Sequence, residues 1–329
     1  MKVVVTGANG FLGSWLVKKL NELGQDVHIL NRQNSDLSEL KNLKFSQHVG
    51  DVVNPESLKK AFEGAELIYH LAGVVAYRKS ERQNMERVNV EGTRNVITAL
   101  RQNKVPRLLH LSSVVTVGAG HNPNEILNEN SVYNLKSYNL GYFETKRAAE
   151  NLVMNELKSG DFEAQIVNPS TIYGAADAKK GSRKIQVKVA QGKFPFYTPG
   201  GVNVVAVEDV IDGILLALQK GKSGERYILS GENWTIQKLF TEIAHVAGVK
   251  EPAFLLPSAV LFALGLIGDS LEKIGIRGGI SSENARTSTL YHWFDNQKAK
   301  TQLGFNPRPS TTAIENSVNW MREKGLLNK

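Results

Sequence analysis

The chain contains no cysteine. That removes disulfides, thiolate zinc sites and a cysteine nucleophile together, and it is compatible with a reducing compartment. No run of five like charges occurs, and no nucleic-acid motif accompanies the positive balance. The 7 histidines form no His-Glu-x-x-His pair, so no metal is expected. Gly-x-Ser-x-Gly and a complete Gly-x-x-x-x-Gly-Lys-Ser/Thr loop are also missing. There is no internal repeat or low-complexity tract. The most apolar segment, 253–268, is about 16 residues long and contains Pro257. It falls short of the ~18–20 residues that span a bilayer, so it reads first as a buried helix, with membrane contact the less expected alternative. Its apolar side chains outnumber one helix face, so some are expected to line a pocket or a membrane-facing surface as well as the core. Met1-Lys2 leads straight into Val3-Val4-Val5, which already belong to the fold, so no signal peptide and a cytoplasmic location are expected.

What is present is ordinary globular material: 329 residues, 41% hydrophobic and 22% charged, enough for one large domain or two intimate ones. The net charge is +8, mostly scattered. The densest basic stretch is Lys179, Lys180, Arg183, Lys184, Lys188 and Lys193, opposed only by Asp177, and it reads as a solvated face, with contact to an anionic ligand the alternative.

Short apolar runs alternate with amphipathic stretches through the first half. Strands are expected at 2–6, 26–30, 45–49, 67–70, 108–112 and 165–167, with helices at 11–23, 55–62, 81–103 and 136–157. Leu67-Ile68-Tyr69-His70-Leu71 lacks polar alternation, as a strand buried on both faces does. The alternation implies an α/β fold with a parallel sheet covered on both sides. After Pro169 the pattern fades. A strand at 203–207, a helix at 209–219 and a strand at 226–229 return to the earlier style, and the chain from Trp234 onward is mostly helical. Ser310 and Gly325 mark the ends of a last helix. Two interleaved lobes are expected: 1–169 plus 203–230 carrying the sheet, and a smaller, mostly helical lobe of 170–202 plus 231–329.

Strand, glycine-rich turn and helix meet at Val3-Val4-Val5-Thr6-Gly7-Ala8-Asn9-Gly10-Phe11-Leu12-Gly13. Gly7 permits the turn, Gly10 lets backbone approach a pyrophosphate, and Gly13 lets the helix pack on the strand. The helix N-terminus then offers free N–H groups to phosphates. The second strand ends Asn31-Arg32 with no acid. An acid would bind the ribose 2′-hydroxyl of NAD, whereas Arg32 presents a fork suited to the 2′-phosphate of NADP. NADP is therefore expected, with Asn31 leaving NAD open.

Tyr142 and Lys146 are four apart in a helical stretch and share a face. A nearby ammonium favours the phenolate and lowers a phenol pKa of about 10, making Tyr142 a candidate acid–base. The preceding strand ends Ser112-Ser113, where a hydroxyl can hold a substrate oxygen beside Tyr142.

These residues resemble the extended short-chain dehydrogenases/reductases, the NAD(P)-dependent epimerase/dehydratase superfamily, over nearly the whole length. The motifs stand as Thr6–Gly13, Gly50-Asp51-Val52, His70-Leu71-Ala72-Gly73, Asn89-Val90-Glu91-Gly92-Thr93, Leu111-Ser112-Ser113, Tyr142-Phe143-Glu144-Thr145-Lys146 and Asn168-Pro169. The branch resembled most is dihydroflavonol-4-reductase-like and hopanoid-associated sugar-epimerase-like. The resemblance implies a Rossmann-type doubly wound sheet with a substrate lobe, and cofactor contacts from Gly7, Asn9, Gly10, Phe11, Leu12 and Gly13. It also implies that Asp51 and Val52 border the adenine, that Leu71, Ala72 and Gly73 line the cofactor, and that Lys146 binds the nicotinamide ribose. Asn168 and Pro169 would lie near the nicotinamide, and Ser113 would be the catalytic hydroxyl with Ser112 its neighbour. Asn89 and Asp209 have a plainer reading as helix caps.

Three departures bear on substrate. Val114-Val115 follow Ser113 where sugar dehydratases carry Asp-Glu, Ala175 follows Tyr173-Gly174 in place of Pro, and Val117 replaces a tyrosine common in epimerases. The leading expectation is an NADP-dependent carbonyl reductase or alcohol dehydrogenase for a small, apolar substrate. A nucleotide-sugar epimerase with tightly held cofactor comes second, and a non-catalytic dinucleotide-binding protein third. An epimerase would meet a diphosphate with arginines or backbone N–H groups, and the candidates outside the cofactor domain are Arg183, Arg277, Arg286 and Arg308, with the lysines at 179–193. A homodimer through the helices near 81–103 and 136–157 is expected.

Overall fold

The computed structural model describes residues 1–179, 183–276 and 279–327, apart from the side chain of Lys179. Its first part runs β1 (Lys2–Thr6), α1 (Phe11–Glu22), β2 (Asp26–Asn31), β3 (Ser46–Val49), α2 (Pro55–Phe62), β4 (Leu67–His70), α3 (Arg82–Met85), α4 (Gly92–Gln102), β5 (Arg107–Leu111), α5 (Gly141–Glu156) and β6 (Glu163–Pro169). Then come β7 (Thr171–Tyr173), α6 (Lys184–Ala190), β8 (Phe196–Tyr197), β9 (Gly201–Ala206), α7 (Val207–Lys220), β10 (Arg226–Leu229), β11 (Glu232–Thr235) and α8 (Ile236–Ala247). The chain closes with β12 (Phe254–Leu255), α9 (Ser258–Lys273), α10 (Ser282–Thr287), β13 (Tyr291–His292), α11 (Gln297–Leu303) and α12 (Ser310–Glu323).

The large sheet has seven parallel strands in the order β10-β6-β5-β4-β1-β2-β3. Successive side chains of a strand point to opposite faces, so Val3 and Val5 join one core and Val4 the other. The first core is closed by Leu16 and Leu20 of α1, Ile211 and Ile214 of α7, and Ala299 and Leu303 of α11. The second is closed by Leu58 and Phe62 of α2, Ile97 and Leu100 of α4, and Val153 of α5. This is the doubly wound α/β architecture of the Rossmann type. The order reverses between β1 and β4, which opens a crevice at the C-terminal ends of the strands, where such sheets bind ligands.

A smaller sheet is built around β9, with β11 antiparallel on one side and β7 and β13 parallel on the other. Trp234, Phe240, Ile243, Ile314 and Val318 cover it. The lobes interleave more finely than expected. β9, expected with the first lobe, pairs in the small sheet, whereas α11, expected with the second, packs in the core beneath α1 and α7. The featureless stretch 170–202 contains β7, α6 and β8.

Three further expectations need correction. The helix expected from Lys136 starts at Gly141, because Asn139 turns left-handed at φ 50 and ends a short 3₁₀ turn over Lys136–Tyr138. Asp209 is no cap: it accepts from the Arg308 backbone N–H at 3.0 Å and pairs with the Arg308 guanidinium at 2.8 Å. The apolar segment 253–268 is not a buried helix. Only Leu261, Gly265 and Gly268 of α9 are buried, and most of its large side chains face outward. Among the described residues no helix is long and apolar enough to cross a membrane.

Candidate active site

Every site residue expected from the motifs sits at one edge of the large sheet. Gly7–Gly13 follow β1, Arg32 follows β2, Asp51 and Val52 follow β3, and Leu71–Gly73 follow β4. Ser113 follows β5, Tyr142 and Lys146 open α5, and Asn168 and Pro169 end β6.

The glycine turn has distinct jobs at its three glycines. Gly7 takes φ +75, and a Cβ there would strike the Leu71–Ala72 backbone at 2.7 to 2.9 Å. A Cβ at Gly13 would collide with the Gly7 carbonyl oxygen, so α1 can lie on the turn only without one. Gly10 is different. It is exposed, at φ −78, and a Cβ there would meet only the Gly7 carbonyl oxygen, at 3.2 Å. Packing therefore constrains Gly10 less than Gly7 or Gly13, and its exposed backbone leaves room for a ligand to approach. Gly10 caps α1 without a side-chain bond, and no acid occupies the first turn. The N–H groups and positive end of the helix are thus left for an anion. Phe11 and Leu12 anchor the helix in the core, and Asn9 is half-buried beside the turn.

Arg32 is exposed just beyond β2. Asn31 is buried and donates from Nδ2 to the Arg32 carbonyl at 3.0 Å, while its Oδ1 is buried without a hydrogen-bond partner. A ribose hydroxyl would satisfy that oxygen, and a phosphate would meet the Arg32 guanidinium. Asp51 turns its carboxylate to the Val53 N–H at 3.2 Å. Val52 is packed in the core, its carbonyl held by Asn95 Nδ2 at 3.0 Å.

The Thr6 hydroxyl joins His70 Nδ1 at 2.8 Å and accepts from the Ala72 N–H at 3.2 Å, while His70 Nε2 meets the Thr93 hydroxyl at 3.0 Å. Burial, helped by the Lys146 charge, pushes His70 down to about 3, so this strut stays neutral. Asn89 is not a cap. It lies in a π turn, Glu86–Glu91, joining α3 to α4. It clamps Val74 through both backbone groups, at 2.7 and 3.0 Å, and donates to the Thr145 hydroxyl at 3.1 Å. The cofactor-side loop after β4 is thereby fastened to the helix that carries Tyr142.

The two serines after β5 separate cleanly. Ser112 is buried and donates to Glu150 Oε2 at 2.5 Å. Ser113 is half-buried and hydrogen-bonds to Tyr142. The Asn168 amide is drawn inward: it donates to the Ser113 carbonyl at 3.1 Å, to the Thr116 hydroxyl at 3.0 Å and to Glu150 Oε2 at 2.6 Å. Its donors hold the Ser113 backbone in place. Arg226 of β10 completes the network at 3.1 Å from Glu150 Oε1. The sequence reading passed over Glu150, although its spacing from Lys146, the same four residues that separate Tyr142 from Lys146, could have drawn attention to it.

The expected effect of Lys146 on the phenol is not what the geometry shows. Lys146 is buried and donates to the Leu111 carbonyl at 2.7 Å. Burial lowers its pKa to about 8, opposed by the Glu150 charge. Tyr142 moves up, because burial outweighs the hydrogen bond with Ser113 that favours the phenolate. The phenol is therefore protonated at neutral pH. Around it lies an apolar and aromatic cluster of Val115, Leu140, Phe143 and Leu290 with Tyr77 and Tyr138. The Tyr77 ring meets that of Tyr142 edge-on at 5.9 Å.

The candidate diphosphate arginines among the described residues already have partners within the protein. Arg183 is buried over the Tyr173 ring at 3.9 Å and donates to the Ile172 carbonyl at 2.5 Å. Arg308 pairs with Asp209 at 2.8 Å and Asp212 at 3.7 Å. Arg286 reaches the Tyr138 carbonyl at 3.4 Å. Arg277 and Lys180 lie outside the described residues.

Comparison with known proteins agrees with this architecture. The family model described as the NAD dependent epimerase/dehydratase family matches residues 3–230. The chain belongs to that family, which makes it an enzyme with a nicotinamide dinucleotide as cofactor. It is 32% identical to sterol demethylase protein B of Methylococcus capsulatus, over 99% of this chain and all of the relative. It is 28% identical to a putative dihydroflavonol 4-reductase of Synechocystis, over 98% of this chain and 95% of the relative. The crystal structure of gox2253 superposes with a TM-score of 0.87 at 33% identity, covering 99% of each chain.

Proposed function

We propose that the protein is an NADP-linked oxidoreductase that reduces the carbonyl of a small, apolar substrate. The observation that carries this reading is the setting of Tyr142. Its half-buried ring rests on a core of Val115, Leu140, Phe143 and Leu290, and the half-buried rings of Tyr77 and Tyr138 join the same cluster, so a molecule that reaches the phenol meets ring surface. Arg183 is buried with its guanidinium on the Ile172 carbonyl, and Arg308 is already paired with Asp209, which favours this reading over a nucleotide-sugar epimerase. Relatives named for a sterol and a dihydroflavonol point the same way.

A nicotinamide dinucleotide, when bound, would supply the hydride for the carbonyl carbon. Tyr142 gives its phenolic proton to the carbonyl oxygen, and Ser113 orients that oxygen beside the phenol. Lys146, with a pKa of about 8, exchanges protons readily near neutrality and can reprotonate the phenolate. Gly10 and the first turn of α1 would hold the pyrophosphate, and Arg32 would hold the 2′-phosphate. The test is net oxidation of NADPH with a panel of apolar ketones, run beside nucleotide sugars. Ketone-dependent oxidation supports the proposal. Interconversion of a nucleotide sugar without net cofactor turnover would replace it with the epimerase.

A further inference from the structure

α9 touches the rest of the protein along a narrow seam of Leu261, Gly265 and Gly268, one helix face. The glycines make the seam possible. A Cβ at Gly265 would lie 2.9 Å from Ser282 Cα, and one at Gly268 would collide with the Ile280 carbonyl oxygen. So close a backbone approach hides little side chain. Leu266 is 63% exposed and Ile267 55%, and Val260, Phe262 and Leu264 are exposed beside them. From Ser258 to Gly268 the helix carries no charge.

The apolar surface continues past the helix. β12 pairs with β8, placing the Phe254 ring 6.1 Å from that of Phe196, and both rings are exposed, as is Leu255. Ile274 and Ile276 extend it at the other end. Scattered exposed apolar residues need no explanation, whereas a contiguous ledge on an isolated chain marks a docking surface.

Its rim is basic. Lys193 and Lys250 flank the β8–β12 end, and Lys273 lies in the last turn of α9, all exposed. Lys79 stands 3.6 Å from Asp269 with most of its side chain in solvent. The acids nearby are mostly turned inward: Asp269 accepts from the Ser282 hydroxyl at 2.5 Å, and Glu272 accepts from Arg78 at 3.2 Å and Ser80 at 2.6 Å. Glu251 is the exposed exception.

We propose that this ledge, α9 with β8–β12, docks the protein onto an anionic lipid surface without spanning it. Exposed hydrocarbon buried to the headgroup boundary and a ring of lysines against anionic headgroups are the two attractions that hold interfacial helices. A second copy of the chain fits less well. In a two-fold dimer the same lysines would face each other across the contact, and each chain already carries a net charge of +8. The proposal does not depend on the reaction assigned to the site.

The experiment is co-sedimentation of the full-length protein with vesicles of phosphatidylcholine, alone and mixed with phosphatidylglycerol, at about 0.1 M salt. The mixed vesicles should bind the protein, and phosphatidylcholine alone should bind it at least several-fold less. Lys250→Glu/Lys273→Glu should weaken binding by roughly tenfold or more, each lysine being worth roughly fivefold. Leu266→Glu/Ile267→Glu should abolish binding while leaving the circular dichroism and the melting temperature unchanged, since both side chains face solvent. Three results would overturn the proposal: wild-type protein that stays in the supernatant with both vesicles, variants that bind as well as wild type, or a dimer in sedimentation velocity that Leu266→Glu/Ile267→Glu dissolves while vesicles bind neither protein. The last would assign the ledge to a second copy.

Discussion

The Lys146 ammonium donates to the carbonyl oxygen of Leu111 at 2.7 Å, anchoring α5 to the end of β5 beneath the phenol of Tyr142. This contact fixes the lysine as a buried cation, and burial has a consequence for stability. Its pKa falls from 10.5 to about 8 in the folded chain. Between those values the unfolded chain binds more protons than the native one, so this group adds stability as pH rises from 8 to 10.5. Below 8 the full cost of burying the charge is present, roughly 3 kcal/mol for a shift of this size. Lys146→Met should therefore be more stable than wild type at about pH 7, with the difference shrinking towards about pH 10. Urea denaturation at both pH values checks this, and a difference that does not change with pH would contradict it.

Gly10 and Gly13 should respond in opposite ways to the same substitution. Gly10→Ala meets only the Gly7 carbonyl oxygen, at 3.2 Å, so it should cost far less stability than Gly13→Ala while cofactor affinity falls by about tenfold or more, as expected when backbone N–H bonds to phosphate are lost. Gly13→Ala drives a methyl into the Gly7 carbonyl and should destabilise the fold by about 1–3 kcal/mol. Calorimetry with and without NADPH separates the two. Equal unfolding of both variants would remove the ligand-facing role of Gly10.

Arg32 is exposed beyond β2 and free to meet a 2′-phosphate. Wild type should bind NADP more tightly than NAD, and Arg32→Asp should reverse the order by at least roughly tenfold, because an acid repels the phosphate and accepts from the hydroxyl. Isothermal titration with both cofactors gives the ratio. A ratio unmoved by the substitution would pass the choice to the buried Asn31 Oδ1.

The sheet edge was legible because its signals are local. A turn at Gly7, an uncapped helix start and strands without polar alternation are each written in a few neighbouring residues, and β4 falls where Leu67–His70 placed it. What escaped depends on partners distant in sequence. Glu150 gains its meaning from Ser112, Thr116, Asn168 and Arg226, and Asn89 from Val74 and Thr145. The start of α5 was misread because Asn139 adopts a left-handed turn that hydrophobic periodicity does not record. α9 was legible in part: its apolar side chains outnumber one helix face, but apolar composition argued for burial of most of them, whereas two glycines let the helix pack through a seam too thin to cover them.

The account rests most directly on Tyr142 as the proton donor to a carbonyl. The measurement is single-turnover oxidation of bound NADPH by an apolar ketone, followed by absorbance, in wild type and Tyr142→Phe. The substitution removes one hydroxyl from a half-buried ring, so NADPH affinity should be retained and the rate should fall by about 10²–10⁴-fold. A variant that oxidises NADPH at the wild-type rate would contradict the account.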